Sequence, residues 1–351
     1  MYGIGGNLLK LFFSFCMNRL QLVKINNVCS EIMSLRFGVA QGGVLGPVMF
    51  IIYINDLLSL PLNSSIYAYA DDTALVCSSV DRNSLKTKIH SDLLLVSDWL
   101  VKNRLLINNS KSKCILFFDF EASKEDLCQE FGLLCHSHRC IYQCNCSSIE
   151  ITLTVKYLGL FIDQHLKWDH HSKYLTSKLR KINYSIYFMR NFLRRDHLKQ
   201  LYHSWFESTM RYGIIHFGGT YPSILKPVIM IQRLALRTIF FVKKTDRLTY
   251  MFKENNIYTF QQLYFFACGM HIFKYLSYYS FKQYGRITRE SQVLSIIVPN
   301  FRKETSRKQF CFSGPYFFNE IIKRFGNLVI NDRKPKFKMK LKKALLEDVF
   351  T

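Results

Sequence analysis

Residues 66–77 read Ile66-Tyr67-Ala68-Tyr69-Ala70-Asp71-Asp72-Thr73-Ala74-Leu75-Val76-Cys77, two adjacent carboxylates between short, apolar, β-compatible runs. The runs at 66–70 and 73–77 predict two strands of a hairpin with the acidic pair at or beside its turn. Burying like charges side by side is costly, and the usual relief is a raised pKa or a divalent cation, for which carboxylate oxygens are hard ligands. Two such cations roughly 3.5–4 Å apart can clamp the attacking and leaving oxygens of an in-line displacement, as nucleotidyl transfer requires. Alone, the dipeptide decides little, because Asp-Asp is a common turn pair and most such pairs are solvated.

Its surroundings decide more. Upstream runs Arg36-Phe37-Gly38-Val39-Ala40-Gln41-Gly42-Gly43-Val44-Leu45-Gly46-Pro47-Val48-Met49-Phe50, then Ile51-Ile52-Tyr53-Ile54-Asn55-Asp56-Leu57, a Gly-rich loop entering an apolar helix. Loop and hairpin, in this order and at this distance, resemble the reverse transcriptases of non-long-terminal-repeat retrotransposons, the LINE-like class that includes jockey-type elements. That family carries G-V-P-Q-G-S-x-L-G-P-x-L-F-x-x-Y-I-N-D-L ahead of a Y-A-D-D-T hairpin. The resemblance implies an α+β fold: a partial right-hand polymerase palm of antiparallel sheet with helices, then a helical thumb and a mostly helical C-terminal region. It sets Gly38, Gln41, Gly42 and Tyr69 against the incoming nucleotide and template. Asp71 and Asp72 become the catalytic ligands of Mg²⁺ or Mn²⁺. Tyr69 is aromatic in the family too, and otherwise reads as a packed strand residue. Ala40 stands where the family has Pro, and Gly43 where it has Ser, which makes the loop floppier.

Downstream, Leu85, Ile89, Leu93, Val96 and Leu100 recur at helical spacing and predict an amphipathic helix over 82–102. Trp99-Leu100-Val101-Lys102-Asn103-Arg104-Leu105-Leu106-Ile107-Asn108-Asn109-Ser110-Lys111 resembles the family's W-x(3)-N-x-L-x-x-N-x-x-K segment. The resemblance makes Lys111 a stabiliser of the leaving pyrophosphate or its proton donor; read by itself, it is a solvated loop lysine. Cys114-Ile115-Leu116-Phe117-Phe118 reads as a core strand. Val155-Lys156-Tyr157-Leu158-Gly159-Leu160-Phe161-Ile162-Asp163 is similar to the K-Y-L-G-x-x-I-D hairpin that grips the primer end. Lys156 would then touch primer phosphate, with Tyr157, Leu158 and Gly159 completing the grip. Gly159 permits a close backbone approach, and Lys156 is otherwise an edge-strand lysine that discourages aggregation. The basic helical segment after Trp168 resembles the thumb, whose cations follow the duplex backbone. The His170-His171 pair sits at a helix start and is not expected to bind metal.

Cys128, Cys135, His136, His138, Cys140, Cys144 and Cys146 fall within 19 residues, a density that can build a zinc site. No C-x2-C pair appears, so strands with incidental thiols are favoured and zinc is not expected. Lys and Arg total 48 against 25 acidic residues, a net charge of +23, which favours polyanionic partners and salt-dependent attraction to phosphate. Aromatics make up 15% of the chain, enough to interleave stacking surfaces with the cations. The expected partners are an RNA template, a DNA primer and dNTP substrates. The most apolar stretch, 44–62, is interrupted by Pro47, Asn55, Asp56 and Pro61, which argues against a membrane span. Eleven scattered cysteines fit reduced thiols, and the expected compartment is nucleus or cytoplasm.

The resemblance divides the chain into a partial palm at 1–165, a helical thumb or connection at 166–245 and a basic, aromatic-rich C-terminal region at 246–351. Tyr212-Gly213 through Phe217, Gln232-Arg233 through Arg237, and Gly314-Pro315 through Asn319 echo family patterns more loosely. Arg333–Lys343 carries seven cations in 11 residues, either a nucleic-acid or nuclear-localisation tail or a solvated helix end. In the family a further acidic palm strand precedes the Tyr2-Gly3-Ile4-Gly5-Gly6 segment; here only Glu31 and Asp56 are acidic before Asp71. The expectation is an N-terminally truncated reverse transcriptase, inactive as this chain. The alternatives are a non-catalytic nucleic-acid-binding derivative and a non-functional relic lacking a cooperative unfolding transition.

Overall fold

The structure, a computed structural model, describes residues 3–35, 38–39, 42–117, 149–243, 245–281, 295–325 and 333–346. It mixes helices with short antiparallel strand pairs, an α+β fold. Two compact units emerge, Met1–Lys113 with Leu127–Glu150, and Cys114–Asp126 with Ile151–Thr351.

In the first unit, α1 (Gly6–Cys16) is followed by a β-ribbon in which β1 (Arg19–Gln21) pairs with β4 (Met33–Leu35) and β2 (Lys24–Ile25) with β3 (Val28–Cys29). α2 (Leu45–Ile54) holds Pro47 in its first turn, where the missing N–H has no intrahelical partner to lose. β5 (Ser65–Tyr69) and β6 (Asp72–Val76) form the hairpin, and α3 (Arg82–Lys102) covers the length its periodicity predicts. Asp81 caps α3 by accepting from Ser84 N at 2.8 Å. Leu93 and Val96 are buried on its inner face, while Leu85, Ile89 and Leu100 are half-buried.

On the same face lies a fully buried acid, Asp92. It accepts from Ser64 N at 2.7 Å, from Ser64 Oγ, and from Asn63 N and Nδ2 at 3.0 and 2.9 Å, tying α3 to the start of β5. Burial pushes the Asp92 carboxyl up, but the hydrogen bonds from Ser64 and Asn63 outweigh it and hold it below the ordinary carboxylate value. The strand expected at 114–118 shortens to β7 (Lys113–Cys114), which pairs with β8 (Glu150–Ile151); Leu116 is buried, Phe117 is exposed, and Phe118 lies outside the described residues. Among the described residues, only the two-residue β8 is present to continue that ladder.

The second unit opens with β9 (Thr154–Tyr157) and β10 (Leu160–Asp163), joined at Leu158 and Gly159, whose φ values of 45° and 82° form a two-residue turn. Asp163 is buried, and its carboxylate collects the backbone N–H groups of His165 (3.2 Å), Lys167 (2.9 Å) and Trp168 (2.6 Å) before the chain enters α4 (Asp169–Met189). There follow α5 (Arg195–Leu201), a π-helical turn (Tyr202–Glu207), α6 (Ser208–Arg211), α7 (Ile214–Phe217), α8 (Pro222–Phe240), α9 (Thr249–Glu254), α10 (Phe260–Lys274), α11 (Glu304–Arg307), α12 (Phe310–Phe325) and α13 (Lys334–Leu346). α4 packs on α8, and α10 on α12 and α13, around one contiguous core that includes Leu179, Ile186, Phe206, Phe217, Ile239 and Phe318.

The lysine-rich tail is the edge of this core. α13 buries Phe337, Leu341, Ala344 and Leu345, with Phe337 stacked on Phe273 at 4.1 Å. Its cations therefore ride on a packed helix. A core of this extent predicts a cooperative unfolding transition for the second unit, the measurement that separates a folded protein from a relic. Removing the Asp163 carboxylate strands three N–H groups at a buried joint. Asp163→Ala should cost roughly 2 kcal/mol and Asp163→Asn less, since one oxygen survives; urea unfolding by circular dichroism checks both, and an unchanged midpoint for the alanine variant contradicts the role given to Asp163.

Candidate functional site

The acidic pair occupies the tip of β5–β6. Tyr69 pairs with Asp72, so Ala70 and Asp71 alone make the turn. Ala70 has φ 51°, a left-handed backbone that costs an L-residue roughly 1–2 kcal/mol. The tight turn moves Asp72 into the strand and the tip to 70–71. Along β5, Ile66 and Ala68 turn inward while Tyr67 and Tyr69 turn outward, and Tyr69 is 68% exposed rather than packed.

Asp71 and Asp72 are both exposed, and among the described residues neither carboxylate accepts a hydrogen bond or meets a cation. This corrects the premise of a buried pair: the repulsion is relieved by water, and burial does not force a counter-ion on the site. What remains is a solvent-open set of hard oxygen donors on adjacent residues, which suits a divalent cation. Among the described residues no group of three or more His, Cys, Asp or Glu side chains is placed to hold a metal.

Other nucleotide-side candidates lie in the same unit. Gly38 and Gly42 have φ 81° and 82°, and a Cβ on either would meet nothing within 4 Å among the described residues, so the backbone conformation by itself favours glycine there. Arg19 Nη2 donates to the Gly38 carbonyl. Gln41 lies outside the described residues, as does the Cys128–Cys146 cluster. Lys111 sits in a turn built by Asn108, whose carbonyl accepts from Lys111 N at 3.1 Å and from Ser112 N at 2.9 Å. Its ammonium is exposed, with no partner among the described residues.

The K-Y-L-G hairpin belongs to the second unit. Tyr212 OH donates to the Leu158 carbonyl at 2.6 Å, and a Cβ at Gly159 would lie 3.2 Å from the Tyr212 ring. Gly213 returns the contact, since a Cβ there would lie 2.7 Å from the Leu160 side chain. Leu158 and Gly159 are thus engaged in seating the hairpin. Lys156 is exposed, its Nζ 5.6 Å from the Tyr174 ring centroid and 5.8 Å from that of Phe161; Tyr157 is half-buried.

Of the histidine pair, His170 is exposed and His171 buried, its ring 4.6 Å from Phe217. Burial pulls the His171 pKa down to about 4, and its buried Nε2 has no hydrogen-bond partner among the described residues.

Several residues of the looser motifs prove to be internal clamps. Gln232 Nε2 donates to Tyr258 O and Tyr202 OH while its Oε1 accepts from Phe260 N. Asn319 bonds both backbone groups of Ile296. Asp92 was not singled out by sequence, and Asp163, the closing acid of the K-Y-L-G-x-x-I-D segment, was given no role of its own.

Residues 7–162 match the family described as "Reverse transcriptase (RNA-dependent DNA polymerase)". The chain is 25% identical over 243 residues to the RNA-directed DNA polymerase from mobile element jockey of Drosophila funebris, covering 66% of this chain and 25% of that protein. It is 24% identical over 246 residues to the probable RNA-directed DNA polymerase from transposon X-element of Drosophila melanogaster, covering 67% and 25%. A third relative, the retrovirus-related Pol polyprotein from type-1 retrotransposable element R1 of Bradysia coprophila, is 25% identical over 144 residues, covering 40% and 13%. The chain spans about a quarter of the length of the jockey and X-element proteins. No solved structure matches it significantly. Among the described residues no helix is long and apolar enough to cross a membrane, and Cys16, Cys29, Cys77, Cys114, Cys268 and Cys311 are free thiols.

His171 yields a pH prediction. Its folded pKa of about 4 lies below the unfolded value of about 6.5, so the unfolded chain binds the extra proton between them. The stability it contributes is complete above about pH 6.5 and is lost as pH falls toward 4. The second unit should melt progressively lower from pH 7 to pH 4.5 in thermal scans, and His171→Phe should flatten part of that slope. An identical slope in the variant refutes the assignment.

Proposed function

We propose, from the premise that residues 7–162 are a reverse transcriptase domain homologous to the RNA-directed DNA polymerases of non-LTR retrotransposons, that this chain carries the palm metal site and the primer-side elements of such an enzyme. The observation that carries the reading is the open tip of β5–β6, with two adjacent carboxylates, unpartnered among the described residues, Asp71 on a strained two-residue turn and Asp72 at the first position of β6. By role, residues 1–165 act as palm, 166–245 as thumb and 246–351 as the C-terminal region. The substrates are dNTPs, and the partners an RNA template and a DNA primer.

Asp71 and Asp72 hold Mg²⁺, with Mn²⁺ as substitute; the ions, when bound, neutralise charge on the attacking and leaving oxygens. Gly38 and Gly42 let backbone approach nucleotide and template without a side chain between, Gln41 shares that role, and Tyr69 offers an exposed ring beside the acids. The free Lys111 ammonium stabilises the departing pyrophosphate by direct charge. Lys156 meets primer phosphate from a hairpin whose turn Tyr212 fixes, leaving Tyr157, Leu158 and Gly159 to set the grip's shape.

Two carboxylates support cation binding better than full turnover, so a non-catalytic nucleic-acid-binding role is the second reading. Fe²⁺ with ascorbate, standing in for Mg²⁺, should cut the purified chain beside residue 71. Excess Mg²⁺ should suppress the cut, and Asp71→Asn or Asp72→Asn should abolish it. Cleavage indifferent to both substitutions sinks the metal role. In an extension assay the chain should bind RNA–DNA primer–template with a steep salt dependence and add no nucleotide; Mg²⁺-dependent extension lost in Asp71→Ala would instead show that the chain is a working polymerase.

A further inference from the structure

Between Asp169 and Asp196 the chain carries seven Lys and Arg residues and no acid. In α4 the apolar stripe of Leu175, Leu179 and Ile186 is fully used by the core, so the opposite face is what solvent meets. That face is cationic and aromatic. Lys173, Lys178, Arg180 and Lys181 are exposed, and among the described residues none pairs with a carboxylate. From α4 into the following turn, every large exposed apolar side chain is a ring: Tyr184 (71%), Tyr187 (49%), Phe188 (62%) and Phe192 (75%), with Tyr174 (37%) a turn and more upstream.

The rings are adjacent. Tyr184, Tyr187 and Phe188 stand three and four positions apart, hence side by side on the helix, and the Phe188 and Phe192 centroids lie 5.7 Å apart. Arg190 extends the surface, its guanidinium 4.1 Å from the Tyr187 ring centroid and 5.3 Å from that of Phe241, with its Nε buried and without a hydrogen-bond partner among the described residues. Arg180 and Lys181 lie one helical turn before Tyr184.

We propose that this face binds single-stranded polynucleotide, with unpaired bases stacked on Tyr184, Tyr187, Phe188 and Phe192 and phosphates held by the neighbouring cations. The proposal rests on the nucleic-acid reading above, and differs from it in the strand it selects. A duplex buries its base faces and offers side chains only phosphate; a line of exposed rings gains nothing from it. An unpaired strand presents both π-faces and phosphate, and stacking tolerates any base. From Lys173 to Phe188 the helix runs about 22 Å at 1.5 Å per residue, room for several nucleotides. A protein partner fits less well, because interface centres are depleted in lysine. An anionic membrane also fits less well, since a surface-bound helix segregates an aliphatic face into the lipid, and α4 has already buried that face.

The test compares the full chain on a fluorescent single-stranded RNA of about 12 nucleotides and on a blunt RNA–DNA duplex of equal length. Anisotropy should show the single strand bound at least about tenfold tighter. Combining Tyr184→Ala, Phe188→Ala and Phe192→Ala should weaken single-strand binding by at least about tenfold, given the worth of base–aromatic stacking, and leave the duplex within about twofold. Because the rings are exposed, an unchanged melting profile serves as the folding control, and Tyr184→Phe should bind like the parent. Equal losses on both nucleic acids, capture by phosphatidylserine vesicles that the triple variant abolishes while RNA binding persists, or a dimer that it converts to monomer each overturn the proposal. Fe²⁺ cleavage at residue 71 reads the polymerase proposal separately, so the two can fail independently.

Discussion

The three N–H groups that converge on the Asp163 carboxylate hold together the region on which the rest of the second unit is built. Buried backbone donors must find acceptors, and a chain leaving a strand for a helix within five residues has no ladder or helical turn to supply them. One carboxylate supplies both oxygens. It lets Trp168 adopt φ 70° with its ring buried, immediately before α4 begins. Thr220 Oγ1 then donates to Lys167 O at 2.8 Å and Ser172 Oγ to Ile224 O at 2.6 Å, so side chains in the α7–α8 link and at the start of α4 lock the joint. The orientation of β9–β10 relative to α4, and with it the exposed position of Lys156, follows from this joint.

Motif strength and functional role separate instructively in this chain. The K-Y-L-G segment was legible as a hairpin with a tight glycine turn, and the turn is there. The residues that make the motif recognisable, Leu158 and Gly159, are occupied by Tyr212 and leave one outward-facing cation, Lys156. Gln232 and Asn319 likewise belong to motif-like segments and serve as buried clamps. Such patterns identify ancestry through packing constraints, because a fully satisfied buried amide tolerates few replacements.

What escaped the sequence escaped for physical reasons. Asp92 stands on the buried face of a helix that periodicity located correctly, but hydrophobic spacing assigns no place to an acid; its partners, Asn63 and Ser64, are almost thirty positions away. The Asp71–Asp72 pair was framed by apolar neighbours and so looked buried. Apolar flanks measure the burial of strands, and a two-residue turn projects its tip beyond them. The proposal that the pair ligates a metal rests on donor chemistry and exposure, since the argument from desolvation has gone.

The two units differ in how their apolar surface is used, and this bears on the proposed metal site. The second unit closes a continuous core. In the first, α1 buries no residue, and Leu20, Ile25, Val28 and Met33 of the ribbon remain more than two-thirds exposed. Apolar area left in water contributes nothing to folding, so local opening here costs little. The carboxylate hairpin is two-stranded, a motif of marginal stability alone, and its strongest tie among the described residues is the Asp92 cluster at the start of β5. A cation held by Asp71 and Asp72 selects the ordered tip, so its apparent affinity falls by the fraction of chains in which the hairpin is open. By the same linkage the bound cation stabilises the hairpin. If the proposed site binds a cation, its affinity and the order of the first unit are one coupled quantity, and a change that loosens Asp92 would act on the cation without touching its ligands.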